Sequence, residues 1–312
     1  MAVKMTTPEF INGFLKTAAG YDSTEGNPRA KEIIHRLLVD INVMMDDLAI
    51  TPEEFWVAVY YLGRLGTAGE PALLAAGLGL ERMLDMRQDA EDEAAGRLDK
   101  NATPRIIEGP LYVAGAPVCE GEGRMDDGTD TVASEMYLHG KVMDAEGNVI
   151  PNAMVEVWHA DSKGGYSYFD PTQSEYNLRR KINVNGEGRY VARSIVPSGY
   201  GVPPEGPTNE LLSAIGRHGN RPAHIHFFVS APGYAHLTTQ INLDGDPYLH
   251  DDFAFATRDE LIAQAVRVDG AEDIKAKNMT RDHFYDVEYN FVLAKAKAEV
   301  QEDRIARQRA LA

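Results

Sequence analysis

The sequence is poor in cysteine, with Cys119 as the one thiol in 312 residues. One thiol cannot form an internal disulfide or a zinc–thiolate cluster, so both kinds of cross-link are excluded. A chain of this length can bury a sizeable apolar core and does not need them. We therefore expect a cytoplasmic protein in which Cys119 is a bystander rather than a nucleophile.

Positive charge is also scarce, because 31 Lys and Arg stand against 48 Asp and Glu, a net charge of −17 at pH 7. Proteins that bind nucleic-acid phosphates need a concentrated basic surface, and no Lys/Arg-rich run occurs here. An apolar run of 18 residues and a basic segment leading into an apolar stretch are missing as well. We expect a protein that does not bind nucleic acid, is not exported and does not span a membrane.

The first hundred residues have the periodicity of helices. Apolar side chains recur at spacings of three and four between Pro28 and Ala49, which predicts one apolar helix face. Thr51 and Glu54 can satisfy each other's neighbouring amides in a capping box at the start of the next helix. A further helical segment is predicted from about residue 71 to 90, broken by two glycines. We interpret the apolar stripes as helix-on-helix packing or a dimer interface.

From Asn101 onward, short runs alternate apolar with polar side chains between Pro- and Gly-rich turns, which is typical of strands. Segments 144–148 and 183–188 have the Asn and Gly of hairpin turns. Residues after Ala294 predict an exposed helix. The fold class is therefore α+β, with a helical dimerisation and linker domain (1–100) followed by an antiparallel β-sandwich catalytic domain (101–312). The predicted strands are Tyr137–Asp144, Met154–His159, Arg189–Val196, His224–Ser230, Leu237–Leu243 and Phe284–Leu293.

A His-x-His motif is the most informative local signal. Because side chains at i and i+2 lie on the same face of a strand, His224 and His226 project together while Ile225 points to the opposite layer. Two neighbouring imidazoles can bind one metal ion, although such a pair also arises by chance on surfaces.

Two tyrosines add possible oxygen ligands. Tyr200 lies between glycines in a Pro-rich loop, and Tyr166 follows the exit of a predicted strand. Phenolate oxygen together with imidazole nitrogen suits a ferric ion, and a trivalent metal can keep a phenol ionised near neutral pH. Each tyrosine taken singly is better explained as a buried core ring with its hydroxyl on a backbone carbonyl.

The sequence resembles the intradiol ring-cleavage dioxygenases over nearly its whole length. The resemblance covers the helical front half and several separated motifs in order, which is far more specific than His-x-His alone. The matching motifs are Thr103–Tyr112, Glu156–Ala160, Gly199–Pro207, Gly216–His226 and Asp251–Ala254.

This resemblance implies a reaction and a metal site. The family cleaves catechol with O₂ between the two hydroxyl-bearing carbons, giving cis,cis-muconate. It uses one non-haem Fe(III) per subunit, and the matching motifs supply Tyr166, Tyr200, His224 and His226 as ligands. Tyr200 is expected to leave the metal and accept a substrate proton. Arg221 is expected to stabilise negative charge on the substrate, and Gln240 to reach the site.

The resemblance also implies a pocket and partners. A flat, apolar pocket around one aromatic ring is expected, and two chains are expected to form a homodimer through the N-terminal helices. A phospholipid in an apolar tunnel at that interface is a further family property. The residues that match the family's pocket are Leu73, Ala76, Ile107, Pro110, Leu111, Phe253 and Ala254.

Other functions stay open at the level of sequence. A relative of the same family acting on chlorocatechol or hydroxyquinol would differ only in pocket residues. A cupin-like Fe(II) or zinc enzyme would use the histidine pair, but the residues that follow His226 are Phe227–Ser230, with no acid. A transthyretin-like carrier sandwich would make the pair incidental. Relative turnover of the three substrates separates the members of the family. Colour separates the family from the other two hypotheses, because tyrosinate bound to ferric iron absorbs visible light, whereas zinc, Fe(II) or an empty carrier leaves the protein nearly colourless.

Overall fold

The computed structural model describes residues 7–96 and 99–296. The chain divides into two compact units, residues 1–67 and 68–312. The predicted helix after Ala294 lies outside the described residues. The predicted domain boundary at residue 100 stays a prediction.

The first unit consists of three helices, α1 (Pro8–Ala18), α2 (Pro28–Asp47) and α3 (Pro52–Thr67). Their starts follow from local chemistry. At α3, Thr51 N–H donates to Glu54 Oε2 at 2.9 Å and Glu54 N–H donates to Thr51 Oγ1 at 3.2 Å, which is the predicted capping box. The helices that the apolar spacing predicted are confirmed.

The second unit begins with two helices, α4 (Pro71–Gly77) and α5 (Leu80–Ala94). Gly79 separates them with φ +73°, a conformation that glycine adopts without steric cost, so the predicted break is confirmed. Two shorter helices follow later in the chain, α6 (Pro207–Ala214) and α7 (Ala271–Ala276). Among the described residues, no helix combines the length and the apolar character needed to cross a bilayer.

The rest of the second unit is built on two large sheets and a two-stranded ribbon. One sheet has the order β1-β5-β4-β9-β10-β11, and the other has the order β12-β13-β3-β6-β2 with β14 also on β3; β7 pairs with β8. The strands are β1 (Val118–Glu120), β2 (Glu122–Arg124), β3 (Glu135–Asp144), β4 (Met154–His159), β5 (Arg179–Asn183), β6 (Arg189–Ile195), β7 (Tyr200–Gly201), β8 (Asn220–Arg221), β9 (His224–Ser230), β10 (Leu237–Leu243), β11 (Ile262–Ala263), β12 (Val266–Val268), β13 (Phe284–Glu288) and β14 (Phe291–Leu293).

The fold class is confirmed, but the sheets are mixed rather than wholly antiparallel. The run β5-β4-β9-β10 is antiparallel, as are the pairs β3–β6 and β12–β13. The pairs β1–β5, β2–β6, β10–β11, β13–β3 and β14–β3 are parallel. Apolar alternation sets which face of a strand is buried but carries no information on strand direction.

The turn at residues 183–188 corrects a second detail. Gly188 N–H donates to Asn185 O at 2.9 Å, so the predicted turn exists. It joins β5 of one large sheet to β6 of the other and therefore does not close a hairpin. Turn chemistry predicts a change of direction, whereas the partner of the next strand depends on the whole sheet.

The main core uses one face of the first large sheet. Val155 and Val157 on β4, with Ile225 and Phe227 on β9, are at most 1 % exposed and belong to a cluster that also includes Leu138 from β3 of the other sheet. Because side chains alternate, the opposite face of β9 presents His224 and His226. The fold therefore places the predicted site residues on the side of the sheet that faces away from the core.

Candidate metal centre

His226 lies in a row of side chains that crosses four strands. It pairs with Trp158 on β4 and with Gln240 on β10, and Trp158 pairs in turn with Arg179 on β5. Directly paired residues share one face of a sheet. The indole of Trp158 stacks on the imidazole of His226, with centroids 5.1 Å apart and planes 5° apart. The sheet register therefore holds the ring of His226 in place.

His224 and His226 face each other through one nitrogen each. The Nε2 atoms are 3.0 Å apart, and both residues are 1 % exposed. Nδ1 of His224 lies 2.7 Å from Pro222 O, and because a carbonyl only accepts, this Nδ1 carries the proton. His224 Nε2 therefore presents a lone pair. Two imidazole nitrogens at this distance require a proton or a cation that both can bind.

The structure brings both predicted tyrosines to the same place. The rings of Tyr166 and Tyr200 are 5.5 Å apart at 86°, and Tyr200 is 5.3 Å from His224. Tyr200 lies on β7, whose partner β8 carries Arg221, so a short ribbon positions it. Tyr166 lies in the segment between β4 and β5. The four residues predicted as ligands thus form one cluster although they come from three separate parts of the chain.

This cluster fits a hard cation. The Tyr166 hydroxyl and His226 Nδ1 are buried and have no hydrogen-bond partner within residues 7–96 and 99–296. Burial, and next the neighbouring phenol of Tyr200, raise the pKa of Tyr166 well above its ordinary value. A phenol in this position needs a strong positive charge to ionise. Two phenols with two imidazoles are a donor set that suits ferric iron.

The alternative metal sites receive no support from the described residues. Among them, no group of three or more His, Cys, Asp or Glu is arranged to hold a metal ion. A metal held by His224 and His226 would therefore take the tyrosines as further ligands. This donor set differs from that of a cupin-like or zinc site, which adds a third histidine or an acid to the pair.

Arg221 is held rigidly beside the histidines. Its Nε and Nη2 donate to the two carboxylate oxygens of Asp252, each at 3.1 Å, and Nη2 also donates to Gln240 Oε1 at 2.9 Å. Nη1 is 2.9 Å from His224 Nε2. Although burial alone would lower the pKa of Arg221, the Asp252 carboxylate raises it above its ordinary value. A fixed positive charge therefore lies against the predicted site, and its role toward the substrate stays a prediction.

The predicted pocket residues divide between two apolar clusters. Ala76, Ile107, Phe253 and Ala254 lie in a cluster that also contains Val202 and Leu212 from the loop and helix after Tyr200. Leu111 packs with Tyr200 against a second cluster that contains Tyr166 and Trp158. Leu73 and Pro110 are half-buried and lie outside both clusters. Their roles as substrate contacts stay predictions.

A cavity of about 540 Å³ lies next to part of this region. Phe253 lines it, but the other six predicted pocket residues do not. Its remaining lining is mostly polar, with Arg217, His218, His250 and Asp251 among the residues, and also includes Phe255. This polar cavity does not have the flat, apolar character that the sequence predicted for the substrate site.

Three residues of the site were missed at the level of sequence. Asp252 fixes Arg221, Trp158 stacks on His226, and Arg179 lies under Tyr166, with its Cζ 5.8 Å from the ring centroid. Burial lowers the pKa of Arg179 to about 10, so its guanidinium stays protonated at neutral pH. Trp158 and Asp252 lie in motifs that matched the family. Arg179 carries no local signal, because only the pairing of β4 with β5 places it there.

The cluster of two tyrosines and two histidines offers the oxygen and nitrogen donors of a non-haem metal site. Residues 107–295 match the family model described as dioxygenase, and residues 27–96 match the model described as catechol dioxygenase N terminus. The chain belongs to the intradiol ring-cleavage dioxygenase family. Members of this family bind non-haem iron.

Individual relatives agree with this placement. The catechol 1,2-dioxygenase of Acinetobacter baylyi is 54 % identical over 281 residues, which are 89 % of this chain and 90 % of the relative. That of Pseudomonas sp. strain EST1001 is 57 % identical over 270 residues, 86 % and 88 % of the two chains. The structure of catechol 1,2-dioxygenase from Acinetobacter sp. ADP1, inhibited by bound mercury, superposes with a TM-score of 0.95 and 49 % identity. It covers 98 % of this chain and 99 % of its own.

Proposed function

We propose that the chain catalyses the intradiol cleavage of catechol by O₂ to cis,cis-muconate, with one non-haem ferric ion per subunit. The observation that carries the proposal is the contact of His224 Nε2 with His226 Nε2 at 3.0 Å beside the phenols of Tyr166 and Tyr200. Relatives named catechol 1,2-dioxygenase at 54 % and 57 % identity support catechol as the substrate.

Tyr166, Tyr200, His224 and His226 would hold the iron through two phenolate oxygens and two imidazole nitrogens. A ferric ion held by these residues would supply Lewis-acid chemistry, which would make a ring carbon of the catecholate reactive toward O₂. Neutral imidazole is the form that binds a metal, and burial favours it, lowering the pKa values of His224 and His226 well below their ordinary value.

The two tyrosines are not equivalent, and this difference suggests their roles. Tyr166 is 3 % exposed, whereas Tyr200 is only partly buried and lies on a two-residue strand. The more accessible phenol is better placed to turn away from the metal and accept a proton from the incoming catechol. We assign Tyr200 as the base and Tyr166 as the ligand that stays.

Arg221 has the geometry of a fixed electrostatic group. Three of its contacts hold the guanidinium in one orientation, so it does not need to reorganise as negative charge grows on the substrate. Gln240 acts through Arg221, because its Oε1 accepts from Nη2. Ala76, Ile107, Phe253 and Ala254 on one side and Leu111 on the other offer apolar surface to a flat ring and exclude water from it.

The test is a visible absorption spectrum of the purified protein before and after anaerobic addition of catechol. Tyrosinate bound to ferric iron gives a broad band, and direct chelation of catechol moves it to longer wavelength. A sample that stays colourless after reconstitution with ferric iron contradicts the four-ligand site and favours the carrier or zinc hypothesis. Relative turnover of catechol, chlorocatechol and hydroxyquinol then decides the substrate, and we expect catechol to be fastest.

The helices of the first unit support a proposed homodimer. Large apolar side chains stay exposed on α1, α2 and α3, for example Phe14 at 61 %, Leu37 at 51 % and Trp56 at 53 %. Exposed apolar residues in this number mark a surface that another molecule covers. We assign it to a second copy of the chain, with a phospholipid between the copies. Light scattering and mass spectrometry of an organic extract test the two parts separately.

The single Cys119 suits the cytoplasm as the proposed location.

A further inference from the structure

Tyr166 lies on a segment that regular structure does not hold. Residues 160–178 connect β4 to β5 without a helix or strand, and Tyr168, Tyr176 and Leu178 have φ values of 72°, 55° and 59°. Positive φ is unfavourable for side chains of this size, so the segment keeps its shape only if other contacts impose it. A metal ligand in such a segment needs support from outside.

Arg179 supplies that support from the first position of β5. Its Nε donates to Ser167 Oγ at 2.8 Å and its Nη2 donates to Ser167 O at 3.2 Å. Ser167 Oγ donates in turn to Asn177 O at 2.8 Å, which ties the middle of the segment to the residues just before β5. The planar guanidinium group of Arg179 thus donates hydrogen bonds to both the side chain and the backbone of Ser167, the residue directly after Tyr166.

The same side chain reaches the predicted site from the sheet. Arg179 pairs across β4–β5 with Trp158, and Trp158 stacks on His226. Its Cζ also lies 5.8 Å from the ring centroid of Tyr166, within the range of a cation–π contact. One arginine is therefore linked to two of the four predicted ligands, one phenol and one imidazole.

The charge of Arg179 is not balanced by an acid. The residue is 1 % exposed, and no carboxylate of the described ranges lies within ion-pair distance of it. The remaining Nη1 has no partner there, and Arg179 lines a cavity of about 10 Å³ together with Trp158, whose Nε1 is unpartnered too. Such a space holds one neutral water at most. Arg221, by contrast, is paired with Asp252.

We propose that Arg179 is a positioning residue for ring cleavage, which pins the Tyr166–Ser167 segment and places an unbalanced positive charge beside the Tyr166 ring. The same side chain links Tyr166 to His226 through Trp158. The proposal rests on the ligand role proposed above for Tyr166.

The experiment compares Arg179→Met and Arg179→Lys with a matched control, Lys181→Met. Lys181 lies two residues further along β5 on the same face and pairs with Glu156 at 3.0 Å, so its loss removes a charge without touching the Tyr166 segment. For each protein, the measurements are the iron dissociation constant, the visible band of the ferric protein, kcat and KM for catechol, and the unfolding midpoint of the iron-free form.

We expect Arg179→Met to raise the iron dissociation constant by about tenfold or more, as the loss of residues that orient ligands does. Its band should move to longer wavelength, because a phenolate without a neighbouring cation gives up electron density more easily. kcat should fall while KM changes little. Arg179→Lys keeps the positive charge but loses the planar guanidinium group. Its visible band should therefore lie nearer to the parent band than the band of Arg179→Met does. Its iron binding should be weaker than that of the parent. Lys181→Met should match the parent protein.

A lower unfolding midpoint of Arg179→Met with an unchanged band, iron affinity and kcat would show a purely structural role and overturn the proposal. If Arg179→Met does not fold, Arg179→Lys and Ser167→Ala decide it, and parental iron affinity and band in both would overturn it equally. A parent protein that binds no ferric iron and shows no band contradicts the proposed function itself. If the parent protein is coloured and Arg179→Met cannot be distinguished from it in band, iron affinity and kcat, the inference about Arg179 is wrong while the proposed function stands.

Discussion

The two faces of β9 are buried to the same degree but differ in the interactions that their side chains make. Ile225 and Phe227 on the inner face are 0 % exposed and are satisfied by packing between the sheets. His224 and His226 on the outer face are 1 % exposed, and their nitrogens meet at 3.0 Å with His226 Nδ1 left without a partner among the described residues. Burial alone therefore does not separate core from site, whereas an account of hydrogen-bond partners does.

His159 is a buried histidine of the same sheet that lies outside the predicted metal site. It lies at the end of β4 in the register of Ile225 and therefore points with the inner face. There its Nδ1 is 2.6 Å from Ala160 O and its Nε2 is 2.8 Å from Ser194 Oγ on β6. Both nitrogens have partners, so this buried histidine needs no metal. Its contacts give it a structural role between the two sheets.

The largest effect is expected on the outer face from His226→Ala. Removal of this ligand should empty the site, because the imidazole of His226 is expected to stay on the metal throughout, whereas Tyr200 is expected to leave it during turnover. Iron per chain by elemental analysis should fall to near zero and catechol turnover to background. The exposed His250 provides the control, and His250→Ala should keep both values. Full iron occupancy in His226→Ala would contradict the ligand assignment.

Tyr200→Phe should have the next largest effect, because it removes the base but leaves three ligands. General-base removal commonly costs 10²- to 10⁴-fold, so we expect kcat to fall by about a thousandfold while much of the iron is retained. The visible band should shift, since one phenolate is lost. Tyr248→Phe, at a half-buried tyrosine beside His218, serves as the control. Unchanged turnover in Tyr200→Phe would rule out the role of base.

A change on the inner face should affect stability instead of chemistry. The ring of Phe227 packs between the sheets against that of Phe291, with ring centroids 4.8 Å apart. Phe227→Ala leaves a cavity there and should lower the free energy of unfolding by about 3–5 kcal/mol. The folded fraction should still bind iron and show the parent spectrum. Chemical denaturation with absorption read at each point measures both. Loss of the band without loss of stability would mean that the two faces are not separate.

The smallest expected effect is the contribution of His159 to the loss of stability at acid pH. Burial lowers the pKa of His159 to about 4 from an ordinary value of 6.5. Between these pH values the unfolded chain binds a proton that the folded protein does not, so the free energy of unfolding decreases as pH falls from 6.5 to 4. The loss attributable to this group amounts to roughly 3 kcal/mol. Above pH 6.5 it contributes no pH dependence.

The comparison protein for this measurement is His159→Gln, studied without iron. Its unfolding free energy should fall less steeply between pH 6.5 and 4 than that of the parent, whatever its stability at pH 7. Urea denaturation at several pH values gives the two slopes. Equal slopes would show that another group causes the acid sensitivity.

Local chemistry made much of the fold predictable. The capping box of Thr51 and Glu54 and the helix-breaking Gly79 depend on residues within one or two turns of each other, and both were found where the sequence predicted them. The bounds of β9 and β10 were likewise predicted from alternation and turn residues. The parallel pairs of the sheets were not, because a strand's own sequence does not encode the direction of its neighbour.

The sequence by itself determined that His224 and His226 share one side of a strand, since the side-chain period of a strand is two. The residues themselves suggested Tyr166 and Tyr200 as oxygen ligands, and family resemblance added their separate roles and Arg221 as expectations. Only the tertiary structure decided that Asp252 grips Arg221, that Trp158 stacks on His226 and that Arg179 lies under Tyr166. These contacts join residues remote in the chain. They depend on strand order and register, which the packing of the whole domain sets and which no short segment contains.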